Sequence, residues 1–113
     1  MTASSADQTA RICELNDQLR RNGVGGRVVV TSGIHALGTA AVCRVLAAVA
    51  QFDKFNEDND PWGEHDCASL TVNGWKVLFK IDYYDLELRC HSADASDPTV
   101  TQRVMTVMLA EEY

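Results

Sequence analysis

The stretch CASLTVNGWKVLFKID, residues 67–82, is the clearest structural signal in the chain. Apolar and polar side chains alternate on both sides of Asn73-Gly74, which is typical of two half-buried strands. Asn-Gly favours a two-residue turn because both residues adopt positive φ at low cost. The second run places its large apolar side chains on one face: Trp75, Val77, Phe79 and Ile81. The stretch therefore predicts an antiparallel β-hairpin.

Three further elements are predicted upstream of the hairpin. Apolar residues at helical spacing predict a helix over residues 7–21, which the following Asn-Gly would end. The β-branched run 27–31, bounded by glycines, predicts a strand, and its continuous apolar character predicts burial on both faces. Residues 39–52 predict a second helix, with residues 32–38 as its connector.

Two elements are predicted downstream of the hairpin. The alternation slips by one residue near residues 83–85, so residues 86–90 are expected to form a short strand antiparallel to the second hairpin strand. Asp97-Pro98 is typical of a helix start, and it predicts a helix that runs to about Ala110. This helix would face inward with five residues: Thr101, Val104, Met105, Met108 and Leu109.

The order of these elements predicts a small α+β domain, in which three helices pack on an antiparallel sheet of three to four strands. Residues 1–113 form one domain in this interpretation, and residues 1–6 are expected to be disordered because they are small and polar. No apolar run approaches the ~18 residues of a membrane span, and the first residues lack the basic and apolar regions of a secretion signal. We therefore predict a cytoplasmic protein with reduced cysteines: Cys13, Cys43, Cys67 and Cys90.

The charge of the chain is unevenly distributed. Residues 1–52 carry five basic and three acidic side chains, whereas residues 53–113 carry five basic and thirteen acidic ones. The two segments therefore have net charges of +2 and −8, within a total of −6. Because direct binding of nucleic-acid phosphates requires a basic stripe, the charge argues against it. A basic surface on another protein is the favoured partner.

Four segments resemble a known family. In chain order they are GRVVVT, F-x-EDNDPWGEHD, KIDYYD and DPTVTQRVMTVMLAEEY. Together they are similar to a family of short, uncharacterised bacterial proteins that carries a domain-of-unknown-function label, and the resemblance covers residues 12–113. It implies a gene on a plasmid or another mobile element, among genes that help the element survive in its host. It implies no activity, cofactor or catalytic residue.

Residues 55–66, FNEDNDPWGEHD, hold five carboxylates and one histidine, which raises the question of a metal loop. An EF-hand is excluded because Trp62 occupies a ligand position, and Ser69 stands where the loop needs a bidentate glutamate. A looser divalent-ion site remains open, built from Asp58, Asp60 and Glu64. Acidic loops of this kind are more often only solvated.

A zinc site would require nitrogen and sulfur ligands that converge. His65 and Cys67 could meet Cys90 and His91 if their strands were neighbours. Exposed histidines and unliganded strand cysteines are the more common outcome. We therefore predict no cofactor and no metal site.

A metal-dependent hydrolase is the alternative function. The hairpin turn would bring the acidic loop and the end of the second strand to one edge, where a metal could be held by Glu64, His65, Asp66, Asp82 and Asp85. No recognised spacing of these residues supports the idea, and positive charge to hold a phosphate is scarce around them.

The favoured prediction is a non-enzymatic interaction protein that inhibits a host defence or nucleic-acid-handling protein, as an anti-CRISPR protein does, by docking on its basic surface. Carboxylates would steer the partner and aromatic rings would supply contact area. The predicted contact residues are Asp58, Asp60, Trp62, Glu64, Asp66, Tyr83, Tyr84 and Asp85. A CRISPR effector or another defence nuclease is the expected type of partner, and homo-oligomerisation is left open.

Overall fold

A computed structural model describes residues 5–113 of the protein. Within these residues, helices and strands follow one another in this order: α1 (Ser5–Asn22), β1 (Arg27–Val30), α2 (Ser32–His35), α3 (Thr39–Gln51), β2 (Cys67–Val72), β3 (Trp75–Tyr84) and β4 (Gln102–Leu109). A short 3-10 turn, Ala110–Glu112, follows β4. The predicted α+β class is confirmed.

The four strands form one sheet in the order β1-β4-β3-β2. Strand β3 pairs antiparallel with both β2 and β4, whereas β1 pairs parallel with β4. The sheet is therefore mixed: it is antiparallel from β2 through β4, as predicted, and parallel where β1 joins β4. Strand β4 holds a central position, with Val28 opposite Met105 on one side and Ile81 opposite Met105 on the other.

Strands β2 and β3 meet at the turn formed by Asn73 and Gly74. Val72 pairs with Trp75 across this turn, and Asn73 and Gly74 have φ angles of 49° and 84°. Both residues thus adopt the left-handed backbone that a two-residue hairpin turn requires. Strand β3 continues past the predicted residue 82 to Tyr84, which brings its end beside the acidic loop.

The helices cover one face of the sheet and form the core with it. Leu19 of α1, Ile34 of α2 and Val45 of α3 are fully buried in this cluster. The sheet contributes the inward side chains of its strands, among them Ala68, Val72, Val77, Phe79, Ile81, Met105 and Val107. Burial of this apolar surface is the main stabilising contribution to a domain of this size.

The helix predicted over residues 97–110 is wrong, because this region holds strand β4. Its side chains are buried at every second position, as Arg103, Met105 and Val107 show. Two of the residues that were predicted to face inward on the helix, Met105 and Met108, are also buried in the strand. Pairing on both sides, together with β-branched residues, favours the strand. Asp97 caps a local turn instead, since its Oδ1 accepts from the backbone N and the hydroxyl of Thr99.

The strand predicted over residues 86–90 is also wrong. These residues form a turn in which Leu88 has a φ of 60° and its N–H donates to the Asp85 carbonyl. Pairing is limited to an isolated bridge between Tyr84 and His91. The slip in the alternation therefore marks a reversal of the chain and not a new strand.

Three other expectations change in detail. Strand β1 is an edge strand, so Val28 and Val29 are 40% and 45% exposed and are not buried on both faces. The connector before α3 contains the short helix α2, which Thr31 caps through its hydroxyl. Of the predicted disordered segment, residues 1–4 lie outside the described residues, and Ser5 and Ala6 begin α1.

The four cysteines are free thiols, as predicted. Among the helices described for residues 5–113, none is both long enough and apolar enough to span a bilayer.

Candidate functional site

Residues 64–66 run from the acidic loop into β2, beside the end of β3. The backbone N–H of Ile81 donates to the Asp66 carbonyl at 2.7 Å, which fixes this short segment against β3. Glu64, His65 and Asp66 then contact different parts of the molecule. Each of the three side chains lies in a separate polar environment.

The first environment is a buried network around Asn16 of α1, which is fully buried. The Asn16 Nδ2 donates to the Glu64 carbonyl at 3.0 Å and to the Tyr83 hydroxyl at 2.8 Å. Its Oδ1 accepts from Nε of Arg103 at 2.8 Å. The Tyr83 hydroxyl in turn donates to Oε1 of Glu64 at 2.8 Å. Four residues distant in sequence therefore satisfy one another's polar groups, which is what burial demands.

Burial in this network shifts the pKa values of Tyr83 and Arg103. Burial, reinforced by the hydrogen bond to Glu64, raises the pKa of the Tyr83 phenol far above its usual range. Burial lowers the pKa of Arg103, whose guanidinium lies 5.3 Å from the centre of the Tyr83 ring and also donates to the Ala95 carbonyl. Tyr83 therefore remains a neutral hydrogen-bond donor within the network.

The second environment surrounds His65, which has a φ of 55°. Its backbone N–H donates to Oδ1 of Asp60 at 3.1 Å, and its ring stacks on Phe55 with centroids 3.9 Å apart. Its Nδ1 lies 3.0 Å from Oδ1 of Asp17 on α1, and its Nε2 lies 3.7 Å from Oδ2 of Asp60. His65 is therefore positioned by the loop on one side and by α1 on the other.

Cys13 lies one helical turn before Asp17 and completes this cluster. Its thiol lies 3.9 Å from Oδ2 of Asp17. Among residues 5–113, these two side chains and His65 form the one group in which three potential metal ligands lie within 4.8 Å of one another. The cluster was not predicted from the sequence, which placed His65 in a zinc site with Cys67, Cys90 and His91 or in a hydrolase site with the carboxylates of the two acidic segments.

Burial and the Asp17 carboxylate raise the pKa of the Cys13 thiol to about 11. Burial opposes ionisation of Asp17, but hydrogen bonds from His65 and Arg20 outweigh it and the net pKa is lowered. A protonated thiol beside a carboxylate is a poor nucleophile, so the arrangement does not fit a cysteine hydrolase.

The third environment is an open pocket of about 340 Å³ at the end of β3. Asp66 and Asp82 lie on its walls, together with Tyr84, Arg89 and His91. Burial raises the pKa of Asp66, and the nearby carboxylates of Glu64, Asp60 and Asp82 add to this effect. A backbone hydrogen bond of Asp66 opposes this rise in pKa. Asp82 is paired with Lys80, whose Nζ lies 3.1 Å from its Oδ2.

The acidic loop itself is ordered by its asparagines. Oδ1 of Asn56 accepts from the backbone N–H groups of Asp58 and Asn59, at 2.8 and 3.1 Å. Oδ1 of Asn59 accepts from the backbone N–H of Asn56, and its Nδ2 donates to the Lys54 carbonyl. This loop presents Trp62, whose side chain is 76% exposed. The exposed Trp62 ring is therefore carried by an ordered loop.

The predicted contact residues of the acidic loop differ in their availability. Asp58 and Trp62 are exposed, as docking requires. Asp60 is 8% exposed and its carboxylate accepts from the backbone N–H of His65, so it is not available to a partner.

The other predicted contact residues lie near one another but do not form a single patch. Glu64 and Tyr83 bond to each other inside the buried network. Asp66 and Tyr84 line the pocket at the end of β3. Asp85 lies in the turn after β3, where its Oδ1 accepts from the Arg89 N–H at 3.0 Å. The two acidic segments therefore adjoin, with their side chains divided among different surroundings.

The residues of the hydrolase alternative are divided in the same way. Glu64 faces Tyr83, and His65 faces α1. Asp66 and Asp82 share the pocket. A metal held jointly by the predicted set would require these side chains to leave their present partners.

The sequence analysis did not predict four residues that contact the site, because they lie outside the acidic segments. They are Cys13, Asn16, Asp17 and Arg103. A signal did exist for one of them. Asn16 stands beside Leu15 and Leu19 on the inward stripe of α1, and a polar residue there must find a buried partner.

Residues 30–112 match the family described as "Protein of unknown function (DUF3768)", and the chain belongs to this family. The match supports the resemblance on which the sequence interpretation drew. No curated protein and no solved structure matches the chain. Helix α1, which supplies Cys13, Asn16 and Asp17, precedes the matched residues.

Proposed function

We propose that the protein is a non-enzymatic binding protein that docks on a basic surface of another protein. The observation that carries this proposal is Trp62, which is 76% exposed on a loop held by its own hydrogen bonds. A large rigid ring on an ordered segment gains contact area with little loss of conformational entropy, which is why tryptophan is frequent among interface hot spots.

The negative charge of the acidic loop and of the turn after β3 supports a basic partner. Glu57 and Asp58 are exposed in the same loop, and Asp85 and Glu87 follow the end of the neighbouring strand β3. Residues 53–113 as a whole carry a net charge of −8. Such a surface accelerates encounter with a positive surface and disfavours negative ones.

The proposed partner is a host defence nuclease, such as a CRISPR effector, or another nucleic-acid-handling protein. These proteins carry basic grooves for nucleic acid, so an acidic protein seated in the groove would compete with the nucleic acid. The resemblance to proteins encoded on mobile elements supports this class of partner, since such elements are targets of host nucleases.

The test measures binding of the wild-type protein to purified DNA-binding nucleases, including a CRISPR effector, at low and high salt. Affinity is expected to fall steeply with salt, because the screening length shortens from about 10 Å at 0.1 M to about 3 Å at 1 M. Trp62→Ala is expected to weaken binding by more than about tenfold, as hot-spot residues do.

Tyr113→Ala is the matched control, since Tyr113 is an aromatic residue that is 85% exposed and lies outside the acidic loop. This variant is expected to bind as the wild type does. Binding that ignores salt, or that falls equally in the Trp62→Ala and Tyr113→Ala variants, would overturn the proposed docking mode. Docking without displacement of DNA would overturn the proposed inhibition.

A second candidate function, a metal-dependent hydrolase, keeps one supporting observation. Asp66 and Asp82 share an open pocket of about 340 Å³ with His91. Thermal melting of the wild type and of an Asp66→Asn/Asp82→Asn variant with Mg²⁺ or Mn²⁺ tests it. A hydrolase centre here requires a shift in the wild type that the variant lacks, because a ligand stabilises the state that binds it.

A further inference from the structure

We propose that Cys13, Asp17 and His65 form a zinc-binding site between α1 and the acidic loop. This inference is independent of the docking proposed above. It rests on the convergence of a sulfur, an oxygen and a nitrogen ligand from two elements that are 48 residues apart in the chain at their closest contact.

The spacing of the ligand atoms fits a tetrahedral ion after a small adjustment. Nδ1 of His65 lies 3.0 Å from Asp17 Oδ1, the Cys13 sulfur lies 3.9 Å from Asp17 Oδ2, and all three groups lie within 4.8 Å. Zinc bonds of ~2.0–2.3 Å at tetrahedral angles place ligand atoms about 3.3–3.6 Å apart. The adjustment that the proposed site requires is a closer approach of the Cys13 sulfur to the other two ligand atoms.

The residues come from a rigid frame. Cys13 and Asp17 are four residues apart on α1, so both side chains project from the same face of one helix. Asp17 is further held by Arg20, whose Nη2 lies 2.8 Å from its Oδ1. This ion pair fixes the Asp17 carboxylate, whose Oδ1 lies beside His65 and whose Oδ2 lies beside the Cys13 thiol.

Asp60 supplies the outer support that zinc-binding histidines usually have. Its Oδ2 lies 3.7 Å from Nε2 of His65, on the side of the ring opposite the proposed ion. When Nδ1 binds a metal, Nε2 carries the proton and a carboxylate beside it fixes the tautomer and the ring orientation. Stacking of the ring on Phe55 holds the same orientation.

The donor set favours zinc over the hard cations. Ca²⁺ and Mg²⁺ prefer oxygen ligands, whereas sulfur and imidazole nitrogen suit Zn²⁺. A thiolate and a carboxylate also balance the two positive charges of the ion. The three ligands leave a fourth position for water, and the adjoining pocket of about 390 Å³ along α1 gives solvent access to it.

The test is calorimetric titration of the reduced protein with Zn²⁺. A Cys43→Ser/Cys90→Ser variant is used as the background, since these two exposed thiols could bind zinc adventitiously. The expected result is saturation at about one Zn²⁺ per chain. Adding Cys13→Ser or His65→Gln is expected to weaken binding by at least about tenfold, and Asp60→Asn by about tenfold through loss of the outer support.

His35→Gln is the control for a histidine outside the cluster, and it is expected to leave the affinity unchanged. Circular dichroism verifies that each variant is folded. Equal Zn²⁺ affinity in the background and in its Cys13→Ser derivative would overturn the proposal, as would the absence of zinc binding in the background protein.

Alkylation of the wild-type thiols gives a second readout that needs no variant. With Zn²⁺ present, modification of Cys13, mapped by mass spectrometry, is expected to slow, because the bound thiolate is withdrawn from reaction. Modification of the exposed Cys43 and Cys90 is expected to be unchanged. Equal slowing at all three cysteines would contradict a site specific to Cys13.

Discussion

Arg103 on the central strand β4 donates from Nε to Oδ1 of Asn16 on helix α1 at 2.8 Å, and both side chains are buried. This bond joins two elements that are 87 residues apart in the chain. Nδ2 of Asn16 donates to the Glu64 carbonyl and to the Tyr83 hydroxyl. One amide thereby ties the helix, the acidic loop and two strands together.

Replacement of Asn16 by alanine is expected to destabilise the protein by about 3 kcal/mol, because it removes the acceptor of the buried Arg103 Nε and the donor to the Tyr83 hydroxyl. Urea unfolding measures the change. The control is Asn22→Ala at the exposed end of α1, which is expected to change stability by less than about 0.5 kcal/mol. Equal effects of the two variants would contradict the importance of the network.

Replacement of Arg20 by methionine is expected to cost about 3 kcal/mol. Its Nη1 donates to the carbonyls of Val49, Ala50 and Phe52 at the end of helix α3, where the last carbonyls have no partner within the helix. Val49 also accepts from the Phe52 N–H. Arg21→Met removes the same charge at an exposed position and serves as the control. Thermal unfolding of both variants distinguishes loss of the cap from loss of charge.

Replacement of Gly26 by alanine is expected to cost at least about 3 kcal/mol, since the new methyl group would meet the backbone carbonyl of Arg103 and push β1 away from β4. Gly33→Ala meets only the end of the Glu112 side chain, which can move aside. This control is expected to cost at most about 1 kcal/mol. Chemical denaturation of the pair measures the difference, and similar costs would contradict the close approach.

Replacement of Asp66 by asparagine is expected to stabilise the protein at pH 7 and to have little effect at about pH 3. Because the folded state raises the pKa of Asp66 above its usual 3.8, stability is lost as pH rises through that range. Below it, both states are protonated and the difference vanishes. Urea unfolding at the two pH values measures the effect.

Asp58→Asn removes the same charge from an exposed position and measures the general benefit of reducing the negative charge. The gain at pH 7 should be larger for Asp66→Asn than for this control. A gain that is equal in both variants, or that persists unchanged at low pH, would contradict the burial of a carboxylate at residue 66.

The hairpin was predictable because its signal is local. Asn73-Gly74 determines the turn, and the pairing of Val72 with Trp75 follows from it. Strand β4 was mistaken for a helix because its apolar residues fit both periods, and Arg103 occupies an inward position where neither pattern expects a charge. Only pairing with β1 and β3, which lie far away in the chain, decides between the two structures.

In the candidate site, too, local features were predictable from the sequence and long-range contacts were not. The acidic composition and the exposed Trp62 were readable in the sequence, and so was the approach of residues 64–66 to the end of β3. The contacts of His65 with α1 could not be predicted, because no local sequence pattern shows which loop a helix packed on the sheet will contact. Asp60 was misjudged for a related reason: its burial depends on where the backbone of His65 turns.

The central place of β4 has a consequence for biosynthesis. Strands β1, β2 and β3 are synthesised before residues 102–109, yet β1 has no other partner in the described sheet and β3 lacks one of its two neighbours until β4 is present. A chain that lacks β4 can form the β2–β3 hairpin, whereas β1 remains unpaired and its valines stay exposed. We expect chains interrupted before residue 102 to be prone to aggregation and proteolysis, and docking of the last strand to complete folding in a single late step.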